Sequence, residues 1–471
     1  MVELNTVIFD ILYLLAAVLF IMGIKKMSHP RTAVLGNYLG IFGMLLAAGV
    51  SILITLEHKS IENNLMLPIG IIIGAVFIGT MFGAMLFTRV KMTEMPQLVA
   101  LFNGVGGLAS VLVAAASLFA AEPDALHAEV LVAGGLSGLI GAVTFMGSGV
   151  AAGKLQELDF FKKQLPIPAI VRHFLNLAML VACVWCVYAM IGDGNVLLYL
   201  LICVLGCVLG YTLTTPIGGA DMPVVIALLN SYSGLAASAT GFVVDQPVLI
   251  ISGSLVGASG IILTSLMCKA MNRSLLSVLF GGGMAATYEE DDGVYATVKR
   301  TTAEDVALMV DFADRVVFVP GYGMAVAQAQ NAVSDLAKMI EDRGATVEYA
   351  IHPVAGRMPG HMNVLLAEAD VSYEQLRTLE DINPDFDEVD IAIVLGANDV
   401  VNPEARKEGT PISGMPILNV DEARQVVVIK RSLSAGYAGI ANPLFAAENT
   451  SMLFGDGKAA IQDISTALKD L

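Results

Sequence analysis

Nine runs of about 20 apolar residues occupy the first 273 residues of the chain, and they limit its possible folds more than any other feature. A helix needs about 20 apolar residues to cross the hydrocarbon core of a bilayer, so each run predicts one membrane span. The runs lie near residues 4–24, 33–56, 65–88, 97–121, 130–153, 170–191, 195–213, 222–243 and 247–269. We therefore predict a multi-span α-helical membrane bundle of about nine helices over residues 1–273.

Basic residues are distributed unevenly between the loops of this predicted bundle. Eleven Lys and Arg lie in or beside alternate loops, whereas the remaining loops contain only Lys59. Loops rich in Lys and Arg stay on the cytoplasmic side of a membrane. An odd number of spans puts the two ends on opposite sides. The pattern predicts an external N-terminus and a cytoplasmic C-terminal part, in a cell inner (plasma) membrane.

A few polar side chains fall inside the predicted spans, where they are costly and therefore informative. For Asn103 or Ser148 alone, an interhelical hydrogen bond is the favoured role. Asp221 precedes Pro223 at a helix start and could be an N-cap. Together with Asn230 in the same span, it could instead begin a proton or ion path. No histidine lies deep in any predicted span, so a proton relay would lack its usual switchable group.

Charge divides the chain into two parts. Up to Ala285 the chain has 12 Lys and Arg against 13 Asp and Glu, whereas the rest has 14 against 30, a net charge of −16. Such an acidic part argues against nucleic acid as a partner. Three glycines and an acidic run at residues 281–292 join the parts. We predict a linker at residues 274–293, either a tether or a functional hinge, and a water-soluble domain at 294–471.

Buried strands alternate with helices in the soluble part. Strand-like runs occur at residues 315–319, 346–351, 389–395 and 425–430, and helical patterns at 324–343 and 361–380. Apolar strands that alternate with helices indicate a parallel sheet covered on both faces. The pattern therefore predicts an α/β Rossmann-like domain, whose ligand lies at the carboxyl ends of the strands.

A glycine turn follows the first of these strands. Gly321, Tyr322 and Gly323 open a helix, which is the context of a dinucleotide-binding fingerprint. The first glycine would permit the turn, and the second would let a pyrophosphate approach backbone N–H groups. Val326 replaces the third glycine, so the match is partial and by itself weak.

The identity of the nucleotide depends on charges at two other strand ends. The second predicted strand lacks the Asp or Glu that usually holds the ribose of NAD, and Arg357 lies nearby instead. Lys430, Arg431 and Ser432 follow the last predicted strand, where two cations and a hydroxyl suit a phosphomonoester. A solvated basic corner is the alternative, but adjacent cations are unusual in so acidic a segment. The pattern favours NADP over NAD.

Several motifs together resemble one family across essentially the whole chain. They are "TEMPQLVALFNG", "GGADMPVVIALLNSYSG", "GYGMAVAQAQ", "IHPVAGRMPGHMNVLLAEA", "VLGANDVVNP", "GMPIL", "KRSLSAGYAG" and "GDGK". In this order they resemble the beta subunit of proton-translocating NAD(P) transhydrogenases, which has a membrane domain followed by an NADP-binding domain.

The resemblance implies an activity and its partners. Hydride would pass between NAD(H), held by an alpha subunit that also carries membrane helices, and NADP(H), held by this chain. The transfer would be coupled to proton movement and would need no catalytic side chain and no metal, only positioned cofactors. The implied assembly is a dimer of alpha–beta units embedded in membrane lipid.

The resemblance also assigns residues. The implied NADP contacts, matched motif by motif, are Gly321, Tyr322, Gly323, Val354, Ala355, Gly356, Arg357, Met358, Pro359, Gly396, Ala397, Asn398, Asp399, Val400, Gly414, Met415, Lys430, Arg431, Ser432, Leu433, Ser434, Ala435, Gly436, Tyr437, Asp456 and Gly457. Asp399 is the candidate for a protonation-sensitive group beside the nucleotide. The implied proton path and coupling residues are Asn103, Ser148, Asp221, Asn230 and Arg273.

One position departs from the family pattern. Many relatives carry a histidine where this chain has Asn103, and an asparagine does not titrate. We therefore expect the relay histidine on a membrane helix of the alpha partner.

Two other functions fit parts of the sequence. One is a membrane channel or transporter regulated by a cytoplasmic NADP-sensing domain. The other is a membrane NADPH oxidoreductase that passes electrons to quinone. It would need a flavin, haem or iron–sulfur site, and the buried cysteines and few histidines offer no such ligand set.

Overall fold

The structure is a computed structural model. It describes residues 2–27, 30–59, 66–90, 94–121, 126–156, 158–162, 167–218, 221–280, 295–358, 360–436 and 438–471. The chain forms two compact units. The first contains Met1–Thr215 and Leu228–Ile261, and the second contains Pro216–Ala227 and Ile262–Leu471.

Long apolar helices make up the N-terminal part. They are α1 Val2–Met27, α2 Pro30–Lys59, α3 Met66–Arg89, α4 Met95–Ala120, α5 Ala128–Leu155, α7 Ala169–Asp193, α8 Leu198–Thr214, α9 Met222–Val243 and α10 Pro247–Ala270, with the short α6 Asp159–Lys162 and α11 Leu275–Phe280 between or after them. Eight of the helices in the described ranges are long and apolar enough to span a membrane, and α8, with 17 residues, is a shorter apolar helix. The predicted membrane bundle is confirmed.

Glycines allow several of these helices to touch backbone against backbone. A Cβ on Gly36 of α2 would meet the carbonyl oxygen of Gly23 in α1 at 2.6 Å. A Cβ on Gly107 of α4 would likewise lie 2.6 Å from the carbonyl oxygen of Gly141 in α5. Because lipid supplies no hydrophobic driving force between helices, such close packing is what holds them together.

The C-terminal part alternates strands with helices. The helices are α12 Ala303–Asp311, α13 Tyr322–Ala327, α14 Gln330–Asp342, α15 His361–Glu368, α16 Leu379–Ile382 and α17 Gly457–Asp470. The strands are β1 Arg315–Pro320, β2 Thr346–Ile351, β3 Leu376–Thr378, β4 Ile391–Leu395, β5 Gln425–Lys430 and β6 Thr450–Phe454.

All six strands form one parallel sheet in the order β3-β2-β1-β4-β5-β6. This order places β1 and β4, which are distant in sequence, side by side, with Val316 opposite Ile391. The connections reverse direction there, and in open parallel sheets such a switch point is where a ligand crevice forms, at the carboxyl ends of the strands. The predicted Rossmann-like architecture is confirmed.

Two predicted helices are shorter than the sequence pattern suggested. The helix predicted at 324–343 is divided, because Gln328 adopts a left-handed conformation (φ 50°) between α13 and α14. The helix predicted at 361–380 ends at Glu368, and Asp370 is also left-handed (φ 56°). The following residues form a 3-10 turn and the edge strand β3. Of the predicted linker, Leu275–Phe280 are helical, and residues 281–294 lie outside the described residues.

Candidate functional site

The loops that follow β1 and β4 are bonded to each other at the centre of the sheet edge. Gly321 N–H donates to Leu395 O, and Gly323 N–H donates to Gly396 O, both at 2.9 Å. A Cβ on Gly323 would lie 2.6 Å from the Gly396 Cα, and Gly396 has φ +65°. Only glycines fit this contact, so it fixes the floor of the crevice.

This contact gives the fingerprint glycines a role that differs from the expected one. Gly321 has an extended conformation (φ −116°) that any residue can adopt, so the turn does not require it. The N–H group of Gly323 is already bonded to Gly396, so it is not directed at a ligand. The glycines are needed because two loops meet there.

His352, at the carboxyl end of β2, connects two of the predicted nucleotide-contacting segments. Its Nδ1 accepts from Val354 N–H at 3.2 Å, and its Nε2 lies 2.7 Å from Pro416 O. These partners require a neutral ring with the proton on Nε2. Burial lowers the pKa of His352 to about 4, although the Pro416 carbonyl opposes the shift.

A second buried histidine supports the next part of the same loop. The Nδ1 of His361 accepts from Arg357 N–H at 3.1 Å, and Gly356, with φ +106°, leaves room for its ring. Burial, and then the Arg357 charge, lower the pKa of His361 to about 4. The Arg357 guanidinium lies over the ring of Tyr322, 4.6 Å from its centre, which joins this loop to the β1 loop.

Asp399 connects the loop after β4 to the segment after β5. Its Oδ2 accepts from Ala438 N–H at 3.1 Å, and a side chain at Gly436 would collide with its carboxylate. Lys430 lies nearby: burial lowers the pKa of its ammonium group to about 8, while the charge of Asp399 opposes the shift. The two segments therefore meet around a carboxylate and an ammonium group.

The predicted phosphomonoester corner lies at the carboxyl end of β5. Lys430 is half-buried and donates to Ser434 O, whereas Arg431 and Ser432 are exposed. The Ser432 and Ser434 hydroxyls are 2.7 Å apart. Asp456, after β6, caps α17 by accepting from Lys458 N–H at 3.1 Å. The corner therefore presents hydrogen-bond donors and cations at the carboxyl edge of the sheet, where the other predicted loops also begin.

The second unit also contains an ion pair at the start of α9. Arg273 Nη1 lies 2.8 and 2.7 Å from the two carboxylate oxygens of the buried Asp221. The neighbouring residue, Asn272 (φ 47°), donates to Ser413 O at 2.8 Å. Gly414 follows with φ +72°, and a Cβ there would collide with the Asn272 amide. These contacts connect Asn272, two residues after the end of α10, to the segment that ends at Pro416.

The remaining predicted membrane residues belong to the first unit. Asn103 and Ser148 are buried, and a Cβ on Gly104 would lie 3.1 Å from the Ser148 Cβ, so the two residues share one level of α4 and α5. The Ser148 hydroxyl has no hydrogen-bond partner among the described residues. Asn230 is half-buried in α9.

The structure thus brings the predicted nucleotide residues of the β1, β2, β4, β5 and β6 loops to one sheet edge. Pro359 and Tyr437 lie outside the described residues. Sequence reasoning missed His352 and His361, since their bonding partners are distant or non-helical backbone groups. The only signals were that His352 directly follows a buried strand and that His361 directly follows Gly360 at the start of a helix. Within the described ranges, no group of three or more His, Cys, Asp or Glu could hold a metal.

Comparisons with known proteins show which family the chain resembles. A family model described as NAD(P) transhydrogenase beta subunit matches residues 9–467. A protein named NAD(P) transhydrogenase subunit beta, from Rhodospirillum rubrum, is 45% identical over 97% of this chain and 98% of its own length. A second protein of that name, from a designated strain of the same organism, has the same identity and coverage.

Proposed function

The chain belongs to the NAD(P) transhydrogenase beta subunit family, and from this premise we propose that it binds NADP(H) at the crevice between the β1 and β4 loops. Hydride would pass between this NADP(H) and NAD(H) on an alpha subunit. The membrane helices would move protons in step with that transfer. The proposal is supported by the family, by the sheet order and by the chemistry of the crevice.

The donor set at the end of β5 fits a 2′-phosphate. Arg431 is exposed at that edge, and Lys430 and Ser432 adjoin it. A phosphomonoester is recognised by several donors at once and by positive charge. NAD lacks this phosphate, so the corner would select NADP over NAD. The proposal of NADP rather than NAD rests on this one group of residues.

In hydride transfer the cofactors react with each other, and the protein only has to position them. Bound NADP(H) would supply the hydride donor or acceptor, and the protein would supply position and a dry surrounding. Tyr322 and Arg357, held together by their ring contact, would border the nucleotide from the β1 and β2 side. Asp399 would hold the β4 loop against the segment that follows β5. No general acid or base is required.

Coupling to proton movement needs a change in how firmly this site holds its ligand. Such coupling is a linkage: a protonation that favours one arrangement of the loops must also favour one strength of binding. The Asp221–Arg273 pair adjoins Asn272, and Asn272 bonds to Ser413. We assign the ion pair the proton-sensitive role at the membrane end. Asp399 is the corresponding candidate beside the nucleotide.

The assembly follows from the family. The alpha subunit would carry the NAD-binding domain and further membrane helices, and two alpha–beta units would form a dimer in the lipid bilayer. The N-terminus would be external and the C-terminal domain cytoplasmic. Because Asn103 does not titrate, the relay histidine would lie on a membrane helix of the alpha subunit. An alpha subunit without a histidine in its membrane helices would contradict this relay.

The direct test uses liposomes that contain this chain and its alpha subunit. We expect NADPH to reduce an NAD analogue, with proton movement reported by a pH-sensitive dye, and an uncoupler to change the rate. A nucleotide-sensing channel would instead show NADPH binding without reduction of the analogue. That outcome would contradict the proposed function.

A further inference from the structure

A group of three hydroxyl side chains lies buried where α4, α5 and α9 meet. The Ser137 hydroxyl and the Thr240 hydroxyl are 2.7 Å apart, and Ser137 also donates to Ser110 O at 3.3 Å. Ser110 donates to Gly106 O at 3.2 Å. All three side chains are buried. We name Ser110, Ser137 and Thr240 the outer hydroxyl cluster.

The outer hydroxyl cluster lies on the same helices as the polar residues assigned above to the proton path. Ser148, Thr144 and Ser137 are spaced so that they follow one face of α5 over about 16 Å. Opposite this face, α4 presents glycines: Gly104 faces Ser148, and Gly107 faces Thr144. Polar groups therefore recur along one seam between the helices.

The seam reaches close to the far end of the helices. Thr240 is three residues before Val243, where α9 ends, which corresponds to about 5 Å of helix. Ser117, near the end of α4, has its hydroxyl 3.5 Å from Val243 O. At the other end of the seam, the Ser148 hydroxyl is fully buried and has no partner within the described ranges, so it can bond to water or to an arriving group.

A closed contact divides the seam. Between Ser148 and the outer hydroxyl cluster, a Cβ on Gly141 would lie 2.6 Å from Gly107 O, and the Val111 side chain is 2.8 Å from the same position. Backbone therefore packs on backbone, which leaves no space for a continuous row of water. A translocator that stores a gradient requires such a barrier, because an open water path would leak protons.

Resting on the proposed function, we propose that the outer hydroxyl cluster is a relay station in the outer half of the proton path. The Gly107–Gly141 contact would be the barrier that separates it from the level of Asn103 and Ser148. A hydroxyl both donates and accepts a hydrogen bond, so it passes a proton on without holding a charge in the membrane. None of the three cluster residues carries an ionisable group, so the cluster would pass protons on without storing them.

Interhelical packing is the competing explanation, since membrane hydroxyls commonly bond across helices. Thr212 of α8 offers a matched control for it. Its hydroxyl donates to the Asn176 side chain of α7 at 2.7 Å, which is also an interhelical bond between polar side chains. Thr212 and Asn176 are not on the α4–α5–α9 seam. Packing predicts similar effects at Thr212 and Thr240, whereas a relay predicts an effect at Thr240 alone.

The test compares Thr240→Val, Thr240→Ser and Thr212→Val in liposomes containing the chain and its alpha subunit. We expect Thr240→Val to slow dye-monitored proton movement and the coupled reduction of an NAD analogue about tenfold or more. Thr240→Ser and Thr212→Val should stay within about twofold of the unsubstituted protein. NADPH affinity should be unchanged in all three, which separates a blocked path from damage to the soluble domain.

The outcomes separate the two proposals. Proton movement in Thr240→Val equal to that in Thr212→Val would overturn the relay and leave the proposed function standing. Unsubstituted protein that reduces the analogue without moving protons would overturn both. If Thr240→Val does not assemble with the alpha subunit, Ser137→Ala provides the same comparison, because it removes the hydroxyl that is bonded to both Thr240 and Ser110 O.

Discussion

Arg273 holds Asp221 through one guanidinium nitrogen, which lies 2.8 and 2.7 Å from the two carboxylate oxygens. Asp221 is buried and directly precedes the first residue of α9, where the positive end of the helix dipole also favours its charge. Arg273 is partly exposed, so solvent can reach the cation but scarcely the anion. Arg273 is therefore the cation that compensates the buried carboxylate.

Removal of the Arg273 charge should disturb this pair. In Arg273→Gln the buried Asp221 loses the cation that both of its carboxylate oxygens contact, so we expect coupled turnover to fall. Arg273→Lys should retain part of the activity, because the charge remains. The measurement is the rate of NADPH-dependent reduction of an NAD analogue together with dye-monitored proton movement.

Arg406→Gln provides the control for that rate. Arg406 also pairs with a carboxylate, that of Asp421 at 2.6 Å, but outside the proposed coupling contacts. This variant should leave coupled turnover unchanged. Unchanged turnover and proton movement in Arg273→Gln as well would contradict the coupling role of the pair.

Selection of NADP over NAD should depend on Arg431. We expect Arg431→Gln to weaken NADP binding by about 1.5–3 kcal/mol, the usual contribution of a charge-assisted hydrogen bond, and to leave NAD binding unchanged. Arg424→Gln is the matched control, since Arg424 is an exposed arginine at the opposite end of β5 that pairs with Asp390. Titration calorimetry with both nucleotides decides between a phosphate site and a solvated corner. Equal losses for NADP and NAD would indicate the corner.

Binding of NADP should take up a proton at alkaline pH. Burial lowers the pKa of Lys430 to about 8, so above that pH the free protein carries a neutral amine there. A bound phosphate favours the ammonium form, so its pKa rises on binding. Affinity should therefore fall as pH rises above about 8, by up to about tenfold per unit.

Calorimetry in two buffers of different ionisation enthalpy will count the proton taken up. Lys430→Arg keeps the charge at all pH values and should abolish both the uptake and the decline in affinity. Proton uptake that persists in this variant would assign it to another group.

Acid should loosen the loops after β2. The pKa of His352 is about 4 in the folded chain and 6.5 in the reference state, so the folded chain binds fewer protons. The contribution of neutral His352 to the free energy of unfolding is therefore fully present above about pH 6.5. It is lost as pH falls toward 4, by on the order of 3 kcal/mol. His361 contributes in the same direction and the same window. Amide hydrogen exchange of residues 352–368 in the full chain will measure the loss.

His352→Gln tests the source of this acid sensitivity. Its amide can still donate to Pro416 O but does not titrate in this range. The acid-dependent increase in exchange should become smaller in this variant. An unchanged pH dependence in His352→Gln would contradict the assignment to His352.

The sequence predicted the elements that a continuous apolar run specifies. The eight long apolar helices of the described residues, the shorter α8 and four of the strands follow directly from such runs, because a continuous apolar run indicates a membrane span or a fully buried strand without further information about its neighbours. Two strands were not predicted. Strand β3, Leu376–Thr378, is only three residues long and half-buried at the sheet edge, and β6 mixes Thr and Ser with apolar residues. The break at Gln328 depends on a left-handed backbone conformation that glutamine does not signal.

The candidate site was predictable where residue types cluster in sequence, as at Lys430, Arg431 and Ser432. Hydrogen bonds between residues that are distant in sequence were not predictable. The bonds of His352 to Pro416, and of Ser137 to Thr240, join residues far apart along the chain, so only the tertiary structure reveals them. The sequence also suggested that the Gly323 N–H group faces a pyrophosphate within its own loop. In the structure this N–H group instead donates to Gly396 O of the β4 loop.

The central claim is that protonation of the membrane part changes how firmly the soluble domain holds NADPH. Vesicles with the soluble domain outward, at a constant external pH, allow the internal pH to be varied without titrating Lys430 or His352. The decisive measurement is the NADPH dissociation constant as the internal pH changes, for the complete assembly and for Asp221→Asn. We predict that the constant changes several-fold in the unsubstituted assembly and stays flat in Asp221→Asn. A single constant at every internal pH in the unsubstituted assembly would contradict the account.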